Sequence, residues 1–337
     1  MNTFIVVTSI NRPTECLRTL SEESAAHGSR LIVAGDHKSP ADFYLPGAEF
    51  ISLDEQSARF SNFAALLPQN SYTRKNIGYL VSMQSGATLI VDTDDDNAPL
   101  PGFWLPAQRI VDGRLITRNG WVNAYAYFTD VLIWPRGLPL NEVRTPDAKP
   151  IPGPKGIFNC PIQQGLADRN PDVDAVYRLL LPLPVNFNLA EDIVLDRGTW
   201  CPFNSQNTRW WPDVFPLLYL PAYCSFRMTD IWRSFVAQRI LWENGWRLSF
   251  HASTMFQERN EHNLMRDFAD EVPGYLNNAI IRETLSALDL RSGFDSHGDN
   301  LRHCYDALVK LGVVGRQEIP LLIAWITQVE SLIPLTN

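Results

Sequence analysis

Residues 73–97 read TRKNIGYLVSMQSGATLIVDTDDDN, and the order of chemistry in that stretch decides the fold. Ile77, Leu80, Val81 and Gln84 recur at helical spacing, Gly86 offers a C-terminal cap, and the apolar run ATLIVD follows at once. The stretch is therefore a helix, a cap and a strand that empties into carboxylates. Upstream the same alternation is repeated. TFIVVTS (3–9) is a β-branched strand, and NRPTECLRTLSEES (11–24) reads as a helix with Pro13 near its first turn. RLIVA (30–34) is a second strand ending in the polar turn GDHKSP, and AEFISL (48–53) is a third. Alternating β and α units imply a largely parallel sheet covered on both faces, with ligands beyond the carboxyl ends of its strands. The turns after Ser9, Ala34 and Asp92 all fall on that edge.

Beyond residue 133 the pattern changes. WPRGLPLNEVRTPDAKPIPGPKG (134–156) is a proline-rich loop, TDIWRSFVAQRILWENG (229–245) a helix and LSFHASTM (248–255) a strand. YLNNAIIRETLSALDL, NLRHCYDALVKLG and QEIPLLIAWITQVESLI each carry helical periodicity, so the C-terminus reads as helical. The expected organisation is a catalytic unit over 1–275, with a nucleotide-binding half 1–133 and a sugar or acceptor half 134–275, followed by a helical region 276–337. Ile319, Leu322, Ile323 and Trp325 in the last helix offer a face for a homo-oligomer.

Composition narrows the function. Lys and Arg number 29 against 37 Asp and Glu, a formal charge of −8, which disfavours binding to duplex nucleic acid because phosphates demand a basic face. No apolar stretch approaches the roughly 20 residues that cross a bilayer. The opening MNTFIVVTSINRPTE reads as a first strand, not a signal peptide. Five scattered cysteines with no C-x-x-C pair point to a reducing compartment, and against a disulfide scaffold or a structural zinc site. A cytoplasmic location is the expectation.

Within that acidity the run Asp92, Asp94, Asp95, Asp96 is concentrated. On an extended backbone Asp92 and Asp94 share a face, and Asp96 joins them once the chain turns. Such carboxylates hold a hard divalent cation, Mn²⁺ or Mg²⁺, with positions left for diphosphate oxygens. An EF-hand loop would need Gly and Glu where Asn97 and Phe103 stand, and an aspartyl phosphatase would need a different residue after its second Asp. A solvated acidic turn capping a helix is the plain alternative.

The blocks TRKNIGYLVSMQSGATLIVDTDDDN, YFTDVLIWPRGLPL, IQQGLADRNPDVDAVYRL, CPFNSQNTRWW, FRMTDIWRSFVAQRILWE and QERNEHNLMRDF run in order over most of the chain. Together they resemble the STELLO family of glycosyltransferases. More distantly, Asp94-Asp95-Asp96-Asn97 and Pro171-Asp172-Val173-Asp174-Ala175 are similar to motifs of the reversibly glycosylated polypeptides, the UDP-arabinopyranose mutases. The resemblance implies a glycosyltransferase-A-like (Rossmann-like) α/β fold with a mixed sheet flanked by helices, a nucleotide-sugar donor (a UDP-sugar), a glycan or small-molecule acceptor, and divalent-metal dependence. Plant STELLO proteins are membrane-anchored in the Golgi, an arrangement not expected for this chain.

In the implied fold, Thr8, Ser9 and Asn11 contact base or ribose, Arg12 reaches the diphosphate, and Asp36 accepts from the base or ribose, with Lys38 as a weaker candidate. Lys75 and Asn76 open a helix N-terminus suited to a diphosphate. Arg136 steadies phosphate or a sugar carboxylate, and Asp172 and Asp174 reach acceptor hydroxyls. Asp230, in the first turn of its helix, is the candidate general base. Trp232 and Arg233 border the acceptor, and Trp200, Trp210 and Trp211 are further candidates for stacking on sugars. Asp92, Asp94 and Asp96 are candidate metal ligands, completed by His262 in preference to His251. Two other functions stay open: a pyranose–furanose mutase, and a non-catalytic nucleotide-sugar-binding scaffold.

Overall fold

The structure, a computed structural model, is described for residues 1–258 and 263–333. The first run of β-branched residues forms β1 (Thr3–Thr8), followed by α1 (Glu15–Ala26), β2 (Arg30–Ala34), β3 (Ala48–Ile51), α2 (Leu53–Arg59), α3 (Ser61–Leu66), α4 (Lys75–Gln84) and β4 (Leu89–Thr93). Thr14, just past Pro13, caps α1 by accepting from the Leu17 amide at 3.1 Å. Gly86, at φ +76°, ends α4 in the left-handed region as its place in the sequence predicts. Gly78 is required for packing: a Cβ there would lie 2.5 Å from Val6 Cγ1, so only glycine lets α4 lie this close to β1.

These strands pair in parallel in the order β3-β2-β1-β4. The chain continues through β5 (Asn97–Pro99), β6 (Ile110–Ile116), β7 (Gly120–Trp121), β8 (Lys155–Asn159), β9 (Ile162–Asp168), α5 (Ala175–Leu180), β10 (Ile193–Leu195), β11 (Thr199–Trp200), β12 (Asn207–Trp210), α6 (Thr229–Glu243), β13 (Leu248–Gln257), α7 (Leu264–Ser286), α8 (His297–Lys310) and α9 (Glu318–Leu332). The sheet extends from β4 in the order β12-β9-β13-β10-β6-β8, with β5 alongside β13; β7 and β11 form a separate ribbon. Antiparallel pairs now dominate, β12 running against both β4 and β9. The sheet is thus parallel over the N-terminal third, as the alternating units predict, and mixed overall, as the expected glycosyltransferase-A-like fold requires, because most later connections are loops and not crossover helices. The result is a mixed α/β fold with flanking helices, consistent with a glycosyltransferase-A-like architecture.

Alternation along β1 sends Phe4 and Val6 into the core beneath α4 and α6, and Ile5 and Val7 into a smaller core beneath α1. The C-terminal helices join the larger core. Trp325 packs 5.8 Å from Phe63 of α3 and its indole donates to Pro216 O at 2.9 Å. Leu322 and Trp325 are thus core residues and not an interface, although Ile323 is 45% exposed. Helix α7 runs unbroken through residue 275, where a domain boundary was expected. Trp200, Trp210, Trp211 and Trp232 are buried, which fits burial of large aromatics better than sugar stacking. No helix among the described residues is long and apolar enough to cross a membrane.

Candidate functional site

A cavity of about 500 Å³ opens where β1, β2 and β4 end. Three turns meet there: Thr8, Ser9 and Asn11 after β1, Asp36 and Lys38 after β2, and Asp94, Asp95 and Asp96 after β4. Short local bonds hold the turns to one another. Ser9 Oγ donates to Asp95 Oδ2 at 2.5 Å, Asn11 Nδ2 to the same oxygen at 3.3 Å, and Thr14 Oγ1 to the Asp95 carbonyl at 2.5 Å. Asp36 accepts from the His37 and Ser71 amides at 2.6 and 2.7 Å, tying the β2 turn to the segment before α4. Arg12 points elsewhere, into an exposed pair with Asp42, and does not line the cavity.

The acidic run divides by depth. Asp92 still belongs to β4 and is wholly buried, with Lys75 Nζ 2.6 Å from Oδ1 and Arg233 Nη1 2.8 Å from Oδ2. It is an internal counter-ion beneath the cavity, so a ligand role for Asp92 is set aside: both its oxygens are already held by cations. Asp94 reaches the cavity with its side chain 28% exposed; Tyr72 Oη donates to its Oδ1 at 2.8 Å, and Lys75 Nζ at 3.1 Å. Burial raises the Asp94 pKa, and Lys75 and Tyr72 offset only part of that rise. Lys75 is itself buried, yet its two carboxylates outweigh desolvation and hold it charged. It therefore serves the aspartates from below and does not extend to a diphosphate. Asp96 Oδ1 accepts from Gln257 Nε2 at 3.0 Å.

The opposite wall is built on Arg136. Its Nε and Nη2 grip Asp172 at 2.8 Å each, Nη1 and Nη2 grip Asp230 at 3.1 and 2.9 Å, and Nη1 also donates to the Arg227 carbonyl. All five guanidinium donors are thus engaged within the protein, which leaves none for a phosphate or a sugar carboxylate. The Ser205 amide, at 3.2 Å, completes the setting of Asp230. Burial pushes the Asp230 pKa up, but Arg136, with Arg233 and Arg227 beyond, brings it below the ordinary carboxylate value. Asp230 is therefore ionised at neutral pH.

Other expected residues serve the scaffold. Asp174 is fully buried, caps α5 through the Tyr177 amide at 2.8 Å and accepts from Trp134 Nε1 at 2.7 Å; it does not reach the cavity. Asn76 clamps the backbone of Leu220 with bonds of 2.9 Å in both directions. The Trp232 indole is spent on Asn278 at 2.8 Å. His251 hydrogen-bonds Ala252 O at 2.9 Å and lies off the cavity; burial pushes its pKa down to about 4. His262 lies outside the described residues.

Tyr72, Asn204, Gln206, Phe226, Arg227, Gln257 and Arg266 also line the cavity and were not anticipated. Asn204 and Gln206 stand just before β12, and because β12 runs antiparallel to β4 its start lies at the edge where β4 ends. Only the pairing direction reveals that. Phe226 is 57% exposed at the cavity and meets Tyr72 edge-on, a partly open aromatic pair.

Among the described residues, no three acidic, histidine or cysteine side chains gather as a protein-enclosed cation would require. The carboxylates of Asp94, Asp95 and Asp96 nonetheless match a hard cation in chemistry: they are oxygen donors, and the described side-chain bonds to Asp94 and Asp95 each fall on one oxygen.

Residues 227–333 match the model of the STELLO glycosyltransferases. Two curated relatives from Arabidopsis thaliana are similar over most of this chain. "Probable glycosyltransferase STELLO2" is 30% identical over 300 residues, 81% of this chain and 38% of the relative. "Probable glycosyltransferase STELLO1" is 31% identical over 265 residues, 72% of this chain and 34% of the relative. The chain spans little more than a third of the length of these curated relatives. The chain thus matches the STELLO glycosyltransferase model at residues 227–333 and is similar to STELLO proteins over most of its own length.

Proposed function

We propose that this chain is a glycosyltransferase that binds a nucleoside-diphosphate sugar, a UDP-sugar first, in the 500 Å³ cavity and passes the sugar to an acceptor hydroxyl. The observation that carries the reading is convergence. Three strand-end turns, one of them Asp94 to Asp96, share a cavity with an ionised Asp230. The β1 and β2 turns, with Ser9, Asn11 and Asp36, suit the polar edges of a nucleoside. Asp94 and Asp96 are the carboxylates that would hold Mn²⁺ or Mg²⁺, with diphosphate oxygens and water filling the remaining positions. Such a cation, when bound, would offset the charge of the diphosphate leaving group.

The protein's own groups do the rest. Lys75 and Tyr72 fix the orientation of Asp94 from beneath, so that its other oxygen is free to turn to the cavity. Arg136 and the Ser205 amide hold Asp230 as the carboxylate, the form that accepts the acceptor's proton or orients its hydroxyl. A pyranose–furanose mutase is the second reading. Its support is that Asp172, from the segment resembling the mutases, sits on the cavity wall with Asp230.

Calorimetry of UDP with and without Mn²⁺ tests the binding step. Wild type should bind only with metal, and Asp94→Ala and Asp96→Ala should each weaken that binding at least tenfold while circular dichroism stays unchanged; unaltered binding in both variants defeats the proposal. Asp230→Asn should keep donor binding and lose transfer. Incubation with UDP-arabinopyranose and no acceptor separates the mutase, which alone yields a furanose product.

A further inference from the structure

A second cavity, of about 330 Å³, lies at the opposite edge of the sheet, where β1 and β4 begin, on the face turned away from α4. Its volume is within the range of small-molecule sites, about 300–1,000 Å³. Ile5, Leu89 and Val91 form its closely packed floor, and Leu105 and Ala107 supply the accessible aliphatic wall. Trp104 supplies a flat one, stacked on His27 with centroids 4.6 Å apart and planes 4° from parallel. Arg209, from the middle of β12 between its partners Val91 on β4 and Gln163 on β9, also lines it.

Arg209 differs from the buried cations that hold carboxylates, and also from Arg74, which has no ion pair among the described residues but is held by the Leu67 and Pro68 carbonyls and Gln56. Lys75, Arg136 and Arg233 each hold at least one carboxylate at 2.6–2.9 Å. Arg209 is 8% exposed, forms no ion pair among the described residues, and has one described hydrogen bond, Nη2 to Phe103 O at 2.8 Å. Burial pulls its pKa down to about 10, and Asp192, which acts only at longer range, does not restore it. The group is still charged at neutral pH. Buried charges are ordinarily paired, and a guanidinium fork matches a carboxylate in particular.

We propose that this second cavity binds a small organic monocarboxylate with a flat apolar body, its carboxylate on Arg209 and its body against Trp104, Leu105 and Ala107. The aliphatic and aromatic walls favour an apolar body over an inorganic anion, whose remaining charge they would leave unsolvated. The site is separate from the donor cavity: the two open at opposite ends of the same strands. The proposal does not depend on the transferase reading.

Calorimetry on the full chain with 2-naphthoate, and with 2-naphthamide as its neutral counterpart, tests it. Naphthoate should bind one-to-one and the amide at least tenfold more weakly. Arg209→Met should abolish that preference, and Ala107→Phe, which fills the cavity from the 103–108 segment, should weaken binding of naphthoate at least tenfold. Circular dichroism and thermal unfolding confirm that each variant is folded. Equal affinity for acid and amide, no binding of naphthoate to wild type, or undiminished binding in Arg209→Met would each overturn the proposal. Should Arg209→Met fail to fold, the acid–amide comparison and Ala107→Phe still decide the question.

Discussion

Asp94, Asp95 and Asp96 on one side of the donor cavity, and Asp172 and Asp230 on the other, are the same residue type facing the same space, yet the protein binds them in opposite ways. On the first wall, groups from separate segments each take one oxygen of a carboxylate: Tyr72 and the Lys75 ammonium for Asp94, Ser9 and Asn11 for Asp95. On the second wall, one guanidinium grips both oxygens of both aspartates. The first arrangement orients carboxylates and leaves capacity for a ligand. The second keeps Asp230 ionised and uses that capacity up on both aspartates. Counting carboxylates in a cavity therefore says little about cation binding until their existing partners are counted too.

The largest break in this comparison comes from Arg136→Met. It strands Asp172 and Asp230 side by side in a buried wall, and should cost about 3–5 kcal/mol of unfolding free energy in urea titrations, the range for removing one partner of a buried pair. If stability is unchanged, the second wall is not held by this cation. Lys75→Met tests the first wall and should cost less, about 2–3 kcal/mol, because Arg233 still holds Asp92 and Tyr72 still holds Asp94.

A third variant sharpens the contrast with a carboxyl that has no ion pair among the described residues. Burial is the main reason that the Asp174 pKa rises to about 6, and the bonds from Tyr177 and Trp134 offset it only in part. A carboxyl whose folded-state pKa is raised favours the folded protein when protonated. Its stabilising share is present at about pH 4 and lost as the pH rises through about 6. Asp174→Asn should make the stability profile between pH 4 and pH 7 shallower by roughly 1–3 kcal/mol, measured against wild type. An unchanged slope would mean that Asp174 titrates normally. The smallest effect belongs to Arg12→Ala: its pair with Asp42 has both side chains about 70% exposed, so stability should move by no more than about 0.5 kcal/mol.

Much of the fold was legible in local pattern. The helix–cap–strand order of residues 75–93, the strand at β2, the long helix α6 and the C-terminal helices all follow from periodicity and from caps such as Thr14 and Gly86. So did half of the candidate site. Turns that follow parallel strands must emerge on one edge, which is why Thr8, Ser9, Asn11, Asp36, Asp94 and Asp96 meet around one cavity.

The other half was not legible, because it depends on pairings across large sequence separations. Nothing local tells Asp92 from Asp94, yet one sinks between Lys75 and Arg233, the latter 141 residues away, and the other surfaces beside the cavity. Arg136 read as a ligand-binding cation until Asp172 and Asp230 met it in space. By itself, then, the sequence determined the elements, the sheet edge that carries function and the placement of acid on that edge, since backbone periodicity and turn chemistry act over a few residues. Only the tertiary structure decided which charges neutralise each other and which remain for a ligand. Burial and ion pairing are set by where distant segments meet, as the antiparallel entry of β12 beside β4 illustrates at both cavities.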